Sequence, residues 1–268
     1  MKHVFAWELK QRKHAILWWI VGSIVMTGVI LALYPSIRDQ ANELNSVINE
    51  LPQELRGLKT GGEAAVNVAD PVEFLNSQLF YATLPILWII LAVTRGPGLL
   101  AKDEESHTLE LLLAKPISRT SLLTAKILSF WAEALIIAVA TLLATVLIAP
   151  LVDINIGMSA LAWTTLYTML FSVSFGYIAF ALHASGLLQR KAATAIAVVL
   201  GFGGYILASL EGLTDWLEWP AKFVPYHYFQ PAELLSGDIP AASMAYIVLV
   251  IVVGTALAIV GFKKRDIS

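Results

Sequence analysis

Cysteine is absent from the 268-residue chain, which excludes disulfides, thiolate catalysis, iron–sulfur clusters and cysteine zinc sites together. Charge is also scarce. Charged residues make up 14% of the chain and hydrophobic ones 57%, whereas an average soluble domain carries about 25% charged residues. Too few polar side chains remain to cover the surface of one or two soluble cores, so lipid must be the solvent for much of the chain. A basic excess is missing too: the net charge is −2, which argues against a nucleic-acid partner. No G-x-x-x-x-G-K-[ST] phosphate loop occurs. The longest stretch outside the apolar runs, residues 35–76, has 42 residues and is too short for a nucleotide-binding domain. Hydrolysis of ATP by P-loop machinery would have to come from a partner, and no cofactor or metal is expected.

What the chain has instead is apolar length. A membrane helix takes about 20 apolar residues, and six stretches qualify: Ala15–Tyr34, Ser77–Thr94, Ile127–Pro150, Met158–Leu182, Ala192–Leu210 and Ala241–Phe262. The second is the least apolar, with Asn76, Ser77 and Gln78 at its start and Pro85 inside it. Proline is tolerated there when a neighbour satisfies the carbonyl it frees. The first stretch exceeds a usual signal-peptide core and Tyr34-Pro35-Ser36 is a poor cleavage site, so it is expected to remain as a span. Fourteen of the eighteen Lys and Arg residues fall on the side holding both termini, residues 95–126 and residues 183–191. The positive-inside rule makes that side cytoplasmic. Thirteen of the twenty acids fall on the other side. The near-neutral total averages two opposite surfaces.

The segments between spans carry the remaining information. Residues 1–14 combine Val4, Phe5, Trp7 and Leu9 with Lys2, Lys10, Arg12 and Lys13, a pattern for an interfacial helix or for a plain positive flank. In the outer loop 35–76, apolar residues from Leu44 to Leu58 recur at helical spacing and Pro52 divides them into two short helices. The cytoplasmic loop 95–126 places Asp103, Glu104 and Glu105 before a leucine-rich run from Thr108 to Leu113, which Pro116 ends. The acids suit the positive end of that helix. Leu109, Leu112 and Leu113 on one face can fill a groove of a soluble partner or lie on the inner leaflet. Residues 211–240 hold Pro225, Tyr226, Tyr228, Phe229 and Pro231, which suit an aromatic belt or a hairpin dipping into the outer interface.

Catalysis finds little support. Glu104-Glu105 sits in a polar loop, and the histidines at 3, 14, 107, 183 and 227 form no H-x-x-x-H pair. Glu133 is the ionisable residue well inside a span. Such acids are functional hypotheses by default, yet snorkelling or a bond to a nearby Ser or Tyr serves equally, so proton coupling is not assigned. Gly201, Gly203 and Gly204 would permit close helix contact. Tyr167, Ser172, Ser174 and Tyr177 in the fourth span would line a path for amphipathic cargo.

Taken in order, these motifs resemble the ABC-2 type permeases, the membrane subunits of many bacterial ABC exporters. That family has an acidic stretch after the second span, then Gly-Thr-Leu-Glu-Leu-Leu-Leu, a proline and Ser-Arg. Here Glu104, Glu105, Thr108, Leu109, Glu110, Leu112, Leu113, Pro116, Ser118 and Arg119 match, and His107 stands where the glycine would be. Pro225 to Pro231 is similar to the family's Pro-Phe-x-Tyr-Phe-x-Pro. The resemblance implies an all-α integral membrane protein in one domain, residues 1–268, with a type V exporter fold. Six spans, an N-terminal interfacial helix and a re-entrant segment before the last span belong to that fold. It also implies a coupling helix at Thr108–Leu113, seated on a separately encoded ABC ATPase. A second permease copy or a sister permease completes the assembly. The cargo would be hydrophobic, amphipathic or peptide-like, exported across a bacterial or archaeal cell membrane with both termini cytoplasmic. A stand-alone secondary carrier or a non-transporting scaffold or immunity protein is the competing class.

Overall fold

The structure, a computed structural model, describes residues 2–41, 69–113, 117–211 and 215–265. Among the described residues, six helices are long and apolar enough to cross a membrane: span 1 Lys2–Asp39, span 2 Pro71–Glu105, span 3 Arg119–Val152, span 4 Met158–Ala184, span 5 Arg190–Leu210 and span 6 Ala241–Lys264. No strand occurs among the described residues. The all-α six-span reading therefore holds. The expected helices between Leu44 and Leu58 lie outside the described residues.

Spans 2 and 4 form the buried centre, while spans 1, 3, 5 and 6 wrap around them and turn apolar side chains outward. This arrangement explains why span 2 read as the weakest. A helix enclosed by protein does not need an apolar surface all round, so it can carry polar groups that lipid would reject. Asn76 and Ser77 are buried inside the bundle. Span 2 starts at Asp70, whose carboxylate accepts from the Val72 and Glu73 amides at 2.7 and 3.2 Å, with Pro71 in the first turn. Residues Leu75–Thr83 then widen into a π-helix. Pro85 has no N–H for the Tyr81 carbonyl four residues earlier. The buried Tyr226 hydroxyl donates to that carbonyl at 2.9 Å.

Small residues bring the two central helices together. A Cβ on Gly96 would run into the Gly176 carbonyl, and a Cβ on Gly176 would run into the Ala92 carbonyl. The glycines singled out from sequence are less critical. Gly201 makes a tight approach to Ile89, but Gly203 and Gly204 have room for a methyl group. A cluster of glycines is easy to see in a sequence; which isolated glycine meets another helix is not.

Span 1 differs from the expected arrangement. Residues 2–14 are not set off from the first apolar run by any break; the described chain runs as one 38-residue helix from Lys2 to Asp39, through Pro35. Its inward face is continuous from Val4 and Glu8 through Ile16, Ser23, Thr27 and Leu31 to Tyr34. Glu8 and Arg12 draw the first turns onto spans 2 and 3 through ion pairs. At 1.5 Å per residue the helix is about 57 Å long, well beyond a ~30 Å hydrocarbon layer.

Before span 6 the chain makes short helices at Asp215–Ala221, Pro225–Tyr228 and Pro231–Ser236. Tyr226, Phe229 and Pro231 are buried, whereas Tyr228 is exposed and Pro225 opens the 3₁₀ turn. Phe229 stacks 4.1 Å from Phe171 and 5.1 Å from Tyr167 (centroid separations). Tyr226 meets Tyr81 edge-on at 5.7 Å. Burial pushes the Tyr226 phenol well above its ordinary pKa, and its hydroxyl donates to the Tyr81 carbonyl. This aromatic cluster closes one end of the bundle.

Candidate functional site

The end of the bundle opposite the aromatic cluster gathers the basic loops, and its organising element is the short helix Gly98–Glu105 that ends span 2. Its last three residues are consecutive acids, and each reaches a different neighbour. Asp103 contacts the Lys126 ammonium of span 3 at 2.5 Å, a close ion pair rather than an aligned hydrogen bond. Glu104 pairs with His183 at the end of span 4 at 3.1 Å and with Arg265, just beyond span 6, at 2.8 Å. Glu105 pairs with Arg190 at the start of span 5 at 2.8 Å. One helix of eight residues thus touches the ends of spans 3, 4, 5 and 6. Read from sequence, these acids complemented a helix dipole, and Glu104 and Glu105 also matched the motif of the resemblance. Their partners lie 23 to 161 positions away, so spacing could not reveal the role.

The network continues inward. Lys126 also reaches Glu8 of span 1 at 2.6 Å, and Glu8 takes an Arg95 bond at 2.9 Å. Arg95 meets Glu133 at 3.1 Å, and Arg12 holds Glu133 through both its Nε and a terminal nitrogen, the closest contact being 2.9 Å. Lys126 is 1% exposed and Glu133 2%. Glu133 therefore neither snorkels nor bonds a Ser or Tyr; two guanidiniums hold it. Three carboxylates face three cations, so the buried cluster is neutral. That balance offsets desolvation that would otherwise keep charges out of such a place.

Beyond Glu105 the chain turns sharply into the helix Thr108–Leu113. His107 makes the turn with φ of 54°, the left-handed region that glycine occupies without penalty. The sequence departs from the glycine pattern here, yet the turn is kept. Ser106 and Thr108 hydroxyls lie 2.8 Å apart, and the Thr108 hydroxyl donates to the Asp103 carbonyl at 3.3 Å and its carboxylate at 3.4 Å. The helix is thereby tied to the ion network. Replacing His107 with Gly removes the left-handed penalty, and we expect a gain of about 1 kcal/mol. A higher thermal unfolding midpoint of the detergent-solubilised protein checks this; an unchanged or lower one contradicts the strain.

The expected docking residues divide. Leu109 is buried at 2% exposure in the chain's own core, and so is not on an outward face with Leu112. Leu112 is half-buried, Thr108 is half-buried, and Glu110 is exposed. Glu104 is occupied by His183 and Arg265, and Glu105 by Arg190, so neither acid is unengaged. The side chain of Leu113 and the whole of Pro116 lie outside what is described. The misassigned face has a simple cause. A two-turn helix offers too few residues for its apolar pattern to separate an inward from an outward side.

The polar residues of span 4 do not line a path either. Tyr167 bonds Ser243 at 2.6 Å, Tyr177 bonds Thr255 at 2.6 Å, and Ser174 is 3.3 Å from Tyr246, so three of them fasten span 4 to span 6. Ser172 turns back to the Thr168 carbonyl of its own helix.

A helical bundle of six spans, with its loops gathered at one end on a short acidic helix, has the build of a multi-pass membrane permease. The family model described as ABC-2 family transporter protein matches residues 3–267, and the chain belongs to that family. A search of curated proteins gives no match. The resemblance drawn from the loop motifs is thus borne out across nearly the whole chain.

Proposed function

We propose that this chain is the permease subunit of an ATP-driven exporter, with ATP hydrolysed by a separately encoded ABC ATPase that seats on the helix Thr108–Leu113. The observation that carries the reading is that helix itself: two turns set off by a left-handed residue, fixed from beneath by Leu109, and presenting Glu110 and part of Leu112. Such a rigidly mounted short helix suits insertion into a groove of a soluble partner. A second permease copy or a sister permease forms the other half of the assembly. Both termini and the basic loops face the cytoplasm of a bacterial or archaeal cell, in keeping with the positive-inside bias. The cargo is hydrophobic, amphipathic or peptide-like, and residues 215–236 form the re-entrant segment on the far side. A secondary carrier coupled to protons through Glu133 would need that acid unengaged, and the two guanidiniums on it speak against that version.

The test is co-purification with the transporter's ABC ATPase. Changing Glu110→Lys together with Leu112→Asp should reduce the bound ATPase at least ~10-fold, a loss of about 1.4 kcal/mol or more. The permease itself should remain monodisperse. Full retention of the ATPase by a well-folded double variant would sink the docking assignment.

A further inference from the structure

Six charged side chains at the basic end form an unbranched line of alternating sign: Arg12, Glu133, Arg95, Glu8, Lys126 and Asp103. The Thr108 hydroxyl, on the docking helix, stands at the far end. We propose that Glu8 and Arg12 are positioning residues that clamp span 1 into one body with the docking helix, so that a displacement imposed there moves spans 1 and 3 together. The proposal rests on the reading of Thr108–Leu113 as the ATPase seat.

The contrast in burial supports it. From Glu133 to Asp103 every member of the line is at most 11% exposed. The link to span 5, Glu105 to Arg190, has side chains 62% and 42% exposed. Water competes for an exposed pair and leaves it little strength, whereas parting a buried pair strands charges in a low-dielectric site. A push on the docking helix is therefore passed rigidly toward span 1 and loosely toward span 5. Sequence alone gave no hint of this, since Arg12 read as part of a positively charged flank and Glu8 did not stand out.

The alternation of charge supplies a clean variant. Removing Glu8 and Arg12 together, as Glu8→Gln with Arg12→Gln, leaves Arg95 matched to Glu133 and Lys126 matched to Asp103. The cluster stays neutral, yet span 1 has lost all its ionic ties to it. Because the chain has no cysteine, Lys13→Cys and Lys102→Cys give unique spin-label sites on span 1 and beside the acids; both positions are exposed. With the complex of permease and its ABC ATPase in lipid nanodiscs, the 13–102 distance is measured with and without trapped ATP. In the otherwise unchanged protein we expect a shift below about 2 Å, small against the ~5.4 Å of one helical turn. In the Glu8→Gln, Arg12→Gln background the shift should exceed that, and the factor by which the permease alters ATP hydrolysis should fall about 5-fold or more. An ATP-driven separation in the unchanged protein overturns the clamp, as does a double variant that behaves like it. Should the double variant fail to accumulate, the unchanged protein's distance decides alone. Failure of the unchanged permease to bind the ATPase is a separate result: it removes the docking reading, and the clamp with it.

Discussion

Gly176→Ala is expected to abolish the folded protein. The added methyl would sit against the Ala92 carbonyl of span 2, and its nearest neighbours include backbone atoms, not the end of a flexible side chain. A side chain can change rotamer; two packed helices can only part, and here by about 1 Å to reach ordinary contact distance. Since spans 2 and 4 are the centre around which the other spans pack, that parting spreads through the bundle. A cost above about 4 kcal/mol puts the change among the exceptional ones. The check is size-exclusion profile and thermal midpoint after extraction. Gly22→Ala is the control, because no heavy atom lies within 4 Å of its added methyl. In a helix, alanine there should be neutral or mildly stabilising, by up to about 1 kcal/mol. A normal profile for Gly176→Ala would show that the helices do not approach as described.

Lys126→Met is the second large effect. The ammonium is 1% exposed and lies between Glu8 and Asp103. Its loss leaves a surplus negative charge in the cluster, with Asp103 keeping no cation of its own among the contacts described. Breaking a buried pair in this way costs about 3–5 kcal/mol. Adding Asp103→Asn removes the stranded charge and leaves Arg12, Glu133, Arg95 and Glu8 balanced. Most of the lost stability should then return. Non-additivity of the two changes in a double-mutant cycle is the quantity to measure. If the double variant is as unstable as the sum of the singles, the two groups do not interact as drawn.

Much of the fold was legible because the bilayer makes a coarse demand. A span must be apolar over about 20 residues, whatever surrounds it, so six runs could be counted one by one. Boundaries were less legible. The helix that holds span 1 starts at Lys2, well before the apolar run from Ala15, and its early turns find buried partners through Glu8 and Arg12; the helix of span 2 starts at Pro71, where protein covers its polar start. Both shifts come from neighbours, which a window along one helix does not contain. The segment proposed to dock was singled out by its motif, as were Glu104 and Glu105, but their partners were not. Leu109 looked like a contact for something outside and is core.

By itself, the sequence determined an all-helical membrane chain of six spans, an asymmetric distribution of charge between its ends, and the absence of a phosphate loop. Each follows from residue type counted along the chain. Only the tertiary structure decided that spans 2 and 4 are the centre, that Gly96 and Gly176 set their separation, and that Asp103, Glu104 and Glu105 reach four other spans. It also decided that Glu133 is held by arginines from spans 1 and 2. The physical reason is common to all four. A buried charge or a missing Cβ acquires meaning from whatever lies opposite, and in this bundle the opposite group stands tens of residues away.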